Sequence, residues 1–147
     1  MKLLARRELS VEGVRARLKD REYPDEEIAA AIDRLLETGA LNDARVARAY
    51  ATTAAKVKGR GRLRVVRELQ AMGIDRQTAA QAVGEVFGDL DERSLIAKAI
   101  QKKLRGRPKP KDTAERARLY QYLVRQGFSP ALIADALKGT VPFLPES

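Results

Sequence analysis

Two short stretches of this chain gather twelve cations, and the chemistry open to them is anion binding. The first stretch holds Lys56, Lys58, Arg60, Arg62, Arg64 and Arg67; the second holds Lys102, Lys103, Arg105, Arg107, Lys109 and Lys111. Across 147 residues there are 29 basic and 20 acidic side chains, a formal charge of +9 with a pI near 10.1. The excess is uneven. Residues 1–40 carry eight basic and nine acidic groups, residues 41–88 nine and four, and residues 89–147 twelve and seven. A balance of this kind points to a polyanion or an acidic protein as partner.

Other chemistry is thinly supplied. The chain has no histidine and no cysteine. This removes the usual general base, the thiol nucleophile and most transition-metal ligands. Gly59-x-Gly61 lacks the rest of a dinucleotide fingerprint, and no P-loop occurs. Neighbouring carboxylates such as Glu26/Glu27 and Asp91/Glu92 are consecutive on helices, so they point apart and read as first-turn charges. No catalytic residue, cofactor or metal site is expected, and the chain reads as a non-enzyme. Nothing approaches the roughly 20 apolar residues of a membrane span. The N-terminal apolar stretch is too short for a signal peptide, so a cytoplasmic location is the default.

The elements that must position these cations are helices. Apolar residues recur at intervals of three and four, and nothing alternates with a period of two. One five-position pattern is written three times: Val14, Leu18, Tyr23, Ile28, Ile32; then Val65, Leu69, Ile74, Ala79, Val83; then Leu119, Leu123, Phe128, Ile133, Leu137. Its copies lie 51 and then 54 residues apart. A fixed period of this size marks stacked repeats, in which neighbours complete one another's core. The expected fold is therefore all-α, with three tandem three-helix repeats stacked into an elongated, curved array. The first repeat spans 1–40 and has a short first helix over Met1–Arg7. The second spans 41–88, the third spans 89–140, and a tail covers 141–147. A monomer is expected.

Local signals fill in this outline. Asn42 can cap a helix running from about Asp43 to Lys58. Asp112 with Glu115 resembles a capping box restarting the chain after Pro108 and Pro110. Gly73 and Gly127 suit a left-handed helix end; Glu22 takes that place in the first repeat, so its turn is expected to differ. Tyr23, Ile74 and Phe128 follow and should plug the corner. Asp75 and Ser129 then read as N-caps, the latter followed by Pro130. Tyr50, Tyr120 and Tyr122 read chiefly as core, although Tyr122 suits a base-stacking platform as well. If a helix begins near Arg60, then Arg60, Arg64 and Arg67 form an exposed stripe opposite Val65, Val66, Leu69 and Met72. Free amides at that helix N-terminus, together with Gly59 and Gly61, would suit a phosphate or carboxylate. Reversing the charge of Arg60, Arg64 and Arg67 is expected to weaken partner binding with little loss of stability.

The central stretch resembles the RecX family of bacterial recombination regulators. The residues that carry the likeness are Leu41-Asn42-Asp43-Ala44-Arg45, Gly59-x-Gly61, Arg64-Val65, Glu68-Leu69 and Gly73-Ile74. Leu3-Leu4-Ala5-Arg6-Arg7-Glu8-x-Ser10 is similar to the family's opening, and Tyr122-Leu123-x-Arg125-x-Gly127-Phe128-Ser129 to its last repeat. Val46 stands where the family usually has phenylalanine, and Arg60 and Arg62 replace an aromatic and a proline. The resemblance implies a non-enzymatic regulator that binds the RecA recombinase in the helical groove of its filament on single-stranded DNA. It implies inhibition of filament growth, ATP hydrolysis and strand exchange, with a place in DNA repair, recombination and the SOS response. Direct binding to single- or double-stranded DNA is expected to be weak, and no membrane is implied. The two cationic clusters are the expected contacts to RecA or DNA. The competing reading is a helical nucleic-acid-binding protein acting mainly on the phosphate backbone.

Overall fold

A computed structural model describes residues 9–88 and 90–138. The short helix expected over Met1–Arg7, the tail 141–147 and Asp89 lie outside the described residues. Within them the chain is helical, with no strand: α1 (Val11–Asp20), α2 (Asp25–Glu37), α3 (Asp43–Lys56), α4 (Arg62–Ala71), α5 (Arg76–Gly88), α6 (Glu92–Leu104), α7 (Thr113–Gln126) and α8 (Pro130–Leu137). None of these is long and apolar enough to cross a membrane.

The threefold pattern is a pattern of burial. Thirteen of its fifteen residues are buried; Leu18 is half-buried and Tyr23 is 48% exposed. Each aliphatic or aromatic side chain fully removed from water stabilises the fold by roughly 1.5–3 kcal/mol. Two compact units emerge, one running to Ala51 and adding Val66–Glu85, the other comprising Thr52–Val65 and the described residues from Val86 onward. In the first unit α1 packs on α2 around Val14, Ile28, Ile32 and Leu41. Ser10 starts α1: its hydroxyl accepts from the Gly13 amide at 3.0 Å and donates to the Met72 carbonyl at 2.8 Å. The Asp43 carboxylate accepts from the Val11 amide at 2.9 Å. In the second unit α6, α7 and α8 pack mutually around Ile96, Ile100, Leu119, Leu123, Phe128, Ile133 and Leu137.

The corners between paired helices overturn one expectation. The first does not differ from the others. Tyr23 donates its amide to the Leu18 carbonyl at 3.2 Å, and Glu22 to Lys19 at 2.9 Å. Ile74 and Gly73 bond Leu69 and Gln70 in the same way, at 3.1 and 2.9 Å; Phe128 and Gly127 bond Leu123 and Val124 at 3.3 and 2.9 Å. All three are the same paired six-to-one and five-to-two helix end. Glu22 is driven to φ 64° to make it, beside 90° at Gly73 and 104° at Gly127. A side chain in that region is uncommon and strained. The hydrogen-bond geometry therefore prevails over the local preference of the residue.

The plug differs between copies as well. Phe128 is fully buried, in a cluster with Ile96 and Ile100 of α6, and Ile74 is 1% exposed. Tyr23 does not plug its corner. No described helix precedes α1 to close over it as α6 closes over Phe128. The caps follow expectation more closely. Asn42 accepts from the Arg45 amide at 3.0 Å and Asp112 from the Glu115 amide at 2.8 Å. Asp75 accepts from the amide and hydroxyl of Thr78, and these bonds hold its carboxyl below the usual range. Ser129 occupies the N-cap position before Pro130, but its side chain makes no capping bond.

Candidate anion-binding surface

The first cluster lies at the join of α3 and α4. Lys56 ends α3, Lys58 and Arg60 stand in the connection, and α4 begins at Arg62 rather than near Arg60. Lys56, Lys58, Arg62 and Arg67 are exposed, whereas Arg60 and Arg64 are half-buried. The expected stripe of Arg60, Arg64 and Arg67 is thus not a uniform exposed face. Arg60 precedes the helix, and Arg64 donates to the Gln126 side chain at 3.3 Å. Reversing these three charges together would therefore cost stability. Arg62 lies 3.8 Å from the Glu92 carboxylate, with its guanidinium 5.9 Å from the Phe87 ring centre. Two aliphatic side chains stand exposed among these cations, Val57 and Leu63.

Three of the backbone amides here are already bonded. Arg60 donates to the Ala54 carbonyl at 2.9 Å, Gly61 to Gln126 at 2.8 Å and Leu63 to Gly127 at 3.1 Å. Two carbonyls at the C-terminal end of α7 thus accept from two amides at the start of α4, a pairing of opposite helix poles. Gly61 is glycine because a Cβ there would stand 2.5 Å from the carbonyl carbon and oxygen of Gly127. Its role is close approach of two backbones, not phosphate cradling.

The second cluster joins α6 to α7. Lys102 and Lys103 occupy the last turn of α6, where the helix dipole favours cations. Arg105 takes a left-handed conformation at the C-cap with φ 51°. Arg107 folds back, donating Nε to the Leu104 carbonyl at 2.9 Å and Nη2 to Lys103 at 3.2 Å. Lys109 and Lys111 are exposed on either side of the buried Pro110.

This connection and the outward side of α7 enclose an open groove of about 1110 Å³. Lys103 reaches it from the end of α6, Arg107, Lys109 and Lys111 from the connection, and Arg118, Tyr122 and Arg125 from α7; Asp112 and Glu115 are the acids on its wall. The Lys103 ammonium sits 4.4 Å from the Tyr122 ring centre. The charge runs of the sequence do not include Arg118 and Arg125. Their signal is helical spacing: residues 118, 122 and 125 share one stripe of α7. Arg116 takes the other fate, being fully buried, and burial lowers its pKa. Among the described residues no group of carboxylates could hold a metal ion.

By class this is an all-helical repeat protein with an open cationic groove. Comparisons with known proteins narrow that class. The first, second and third three-helix domains of RecX match residues 1–35, 42–83 and 91–137. "Regulatory protein RecX" of Pseudomonas entomophila is 34% identical over 139 residues, covering 95% of this chain and 87% of that protein. Its namesake from Bacillus velezensis is also 34% identical, over 140 residues that make up 53% of its length. The chain belongs to the RecX family. The crystal structure of RecX from Lactobacillus salivarius superposes with a TM-score of 0.68 at 17% identity, covering 90% of this chain and 85% of that one. A second RecX crystal structure gives 0.74 at 16% identity, over 95% of this chain and 66% of the other. At those identities the structures speak to the fold, which all of them share.

Proposed function

We propose that this chain is a non-enzymatic regulator of the RecA recombinase, acting in the cytoplasm in DNA repair and recombination. It binds the RecA filament on single-stranded DNA, lying in the filament's helical groove, and inhibits ATP hydrolysis and strand exchange. The observation that carries the reading is family membership in all three domains, with relatives named as regulatory proteins. The surface supports it. Lys56, Lys58 and Arg62 with the exposed Val57 and Leu63 suit an acidic protein face that also carries apolar ground. Exposed aliphatics would add little to a bare phosphate backbone.

The test is a titration of the protein into RecA, single-stranded DNA and ATP, following ATP hydrolysis, with DNA alone as control. Saturable inhibition is expected, and Arg62→Glu with Arg67→Glu should shift it to higher protein concentration. An unchanged ATPase rate at saturating protein would defeat the reading. Inhibition that tracks occupancy of naked DNA would favour the nucleic-acid alternative.

A further inference from the structure

The corner at Tyr23 and the tip at Val57 are opposite in shape and in charge, and both are exposed. Beside Tyr23, α1 and α2 leave an open groove of about 340 Å³, lined by Leu18, Tyr23, Ile28 and Ala30, with Glu27 and Arg34 the charges on its wall. Its surroundings are acidic: residues 20–27 hold Asp20, Glu22, Asp25, Glu26 and Glu27 against Arg21 alone, all of them exposed. In the third domain α6 packs over the equivalent Phe128 and Ile133, and among the described residues no helix does so here. Val57 supplies the converse. It follows the last residue of α3 and is 72% exposed, the most of any large apolar side chain among the described residues. Lys56 and Lys58 flank it, and residues 56–67 hold six bases and no acid. The tip is fixed, because the Thr53 carbonyl accepts from the Val57 amide at 2.8 Å and from the Lys58 amide at 3.1 Å. A knob already ordered loses little freedom on docking.

We infer that the chain associates with a second copy of itself, Val57 of one copy entering the groove beside Tyr23 of the other. Lys56 and Lys58 then meet the acidic surroundings of that groove. Removing Val57 and the Tyr23 ring from water supplies the apolar part of the contact. The unlike charges set its orientation, and they disfavour groove against groove or tip against tip, where like charges would meet. The contact is heterologous, since each copy offers one tip and one groove. One knob in one small groove makes a small interface, so the association is weak. The expected monomer is replaced by an equilibrium that depends on concentration. The inference does not rest on the RecA reading, although both use the same tip.

The experiment is sedimentation velocity of the full chain over a range of concentrations, with no recombinase present. Wild type should show species larger than the monomer in rising proportion, and raising the salt from about 0.05 M to about 0.5 M should weaken the association. Val57→Asp, which spoils the tip, and Ala30→Arg, which fills the groove and adds a cation to it, should each weaken association at least about tenfold. Both positions are exposed, so both variants keep the fold. Mixed in equal amounts, the two variants should associate again and stop at a one-to-one dimer, because each pair retains one intact tip and one intact groove. A wild type that stays monomeric at every concentration would overturn the inference, as would a mixture of the variants that stays monomeric. If Ala30→Arg abolishes association while Val57→Asp associates like wild type, the groove takes another segment, residues 1–8 among the choices, and the assignment is wrong. Because no recombinase enters the assay, its failure leaves the RecA reading standing.

Discussion

Gly61→Ala should be among the most damaging single-methyl additions to this protein, and Gly59→Ala, two residues away, among the mildest. At position 61 the added Cβ would lie 2.5 Å from the carbonyl carbon and oxygen of Gly127 and 2.7 Å from the Phe128 nitrogen. All three are backbone atoms, so no side chain can swing aside. The start of α4 must back away from the end of α7. That opens the bonds from Gly61 to Gln126 and from Leu63 to Gly127, now 2.8 and 3.1 Å long. Each bond contributes about 1 kcal/mol net, and a carbonyl left buried without a partner costs about 1–3 kcal/mol more. The expected loss is about 3–4 kcal/mol. At position 59 a Cβ meets open space, and only the left-handed φ of 66° is at issue, a cost of about 1 kcal/mol. Urea unfolding of both variants measures the difference directly. In thermal melts it should appear as a drop of about 10 °C against about 3 °C. If Gly61→Ala lies within 1 kcal/mol of wild type, roughly the uncertainty of such a measurement, the close-approach account is wrong. The pair of glycines would then regain its claim to be an anion loop.

Two further outcomes are expected from the repeat. Glu22→Gly should stabilise the protein by about 0.5–1 kcal/mol, since it relieves a left-handed penalty of about 1–2 kcal/mol and adds about 0.4–1 kcal/mol of unfolded-chain entropy; a lowered urea midpoint would refute the strain argument. Phe128→Ala should cost about 3–5 kcal/mol, whereas Tyr23→Ala at the equivalent position should cost less than about 1 kcal/mol, because Tyr23 is half in water. Equal losses in the two variants would show that something covers Tyr23 in solution.

How much of this was legible in the sequence depends on whether a property is local or relational. Helix existence and the buried stripe follow from spacing alone, which is why Val65, Leu69, Ile74, Ala79 and Val83 are all buried as their period requires. Asn42, Asp75 and Asp112 were legible for the same reason, since a cap is satisfied three residues away. Glu22 was not. Its residue type argues against a left-handed turn, and only the demand of two repeated hydrogen bonds puts it there. The close approach at Gly61 is invisible locally because its partner, Gly127, lies sixty-six residues further along the chain. Tyr23 shares its pattern position with Phe128, but among the described residues no helix covers it as α6 covers Phe128.

The cations sort by the same distinction, and the sorting changes where function should be sought. A run of arginines marks a place where charge is abundant, but the backbone decides which of it remains available. Arg107, though exposed, donates to the carbonyls that end α6, and Arg64 to the side chain of Gln126. Arg62 shares its charge with Glu92. Arg118 and Arg125 belong to no run, yet they stand exposed at helical spacing with an aromatic ring between them. A ligand responds to charge it can reach and to the shape around that charge. The groove beside α7 offers both, so the residues that govern anion recognition in the third domain should be the two arginines the charge pattern passes over, ahead of several that define it.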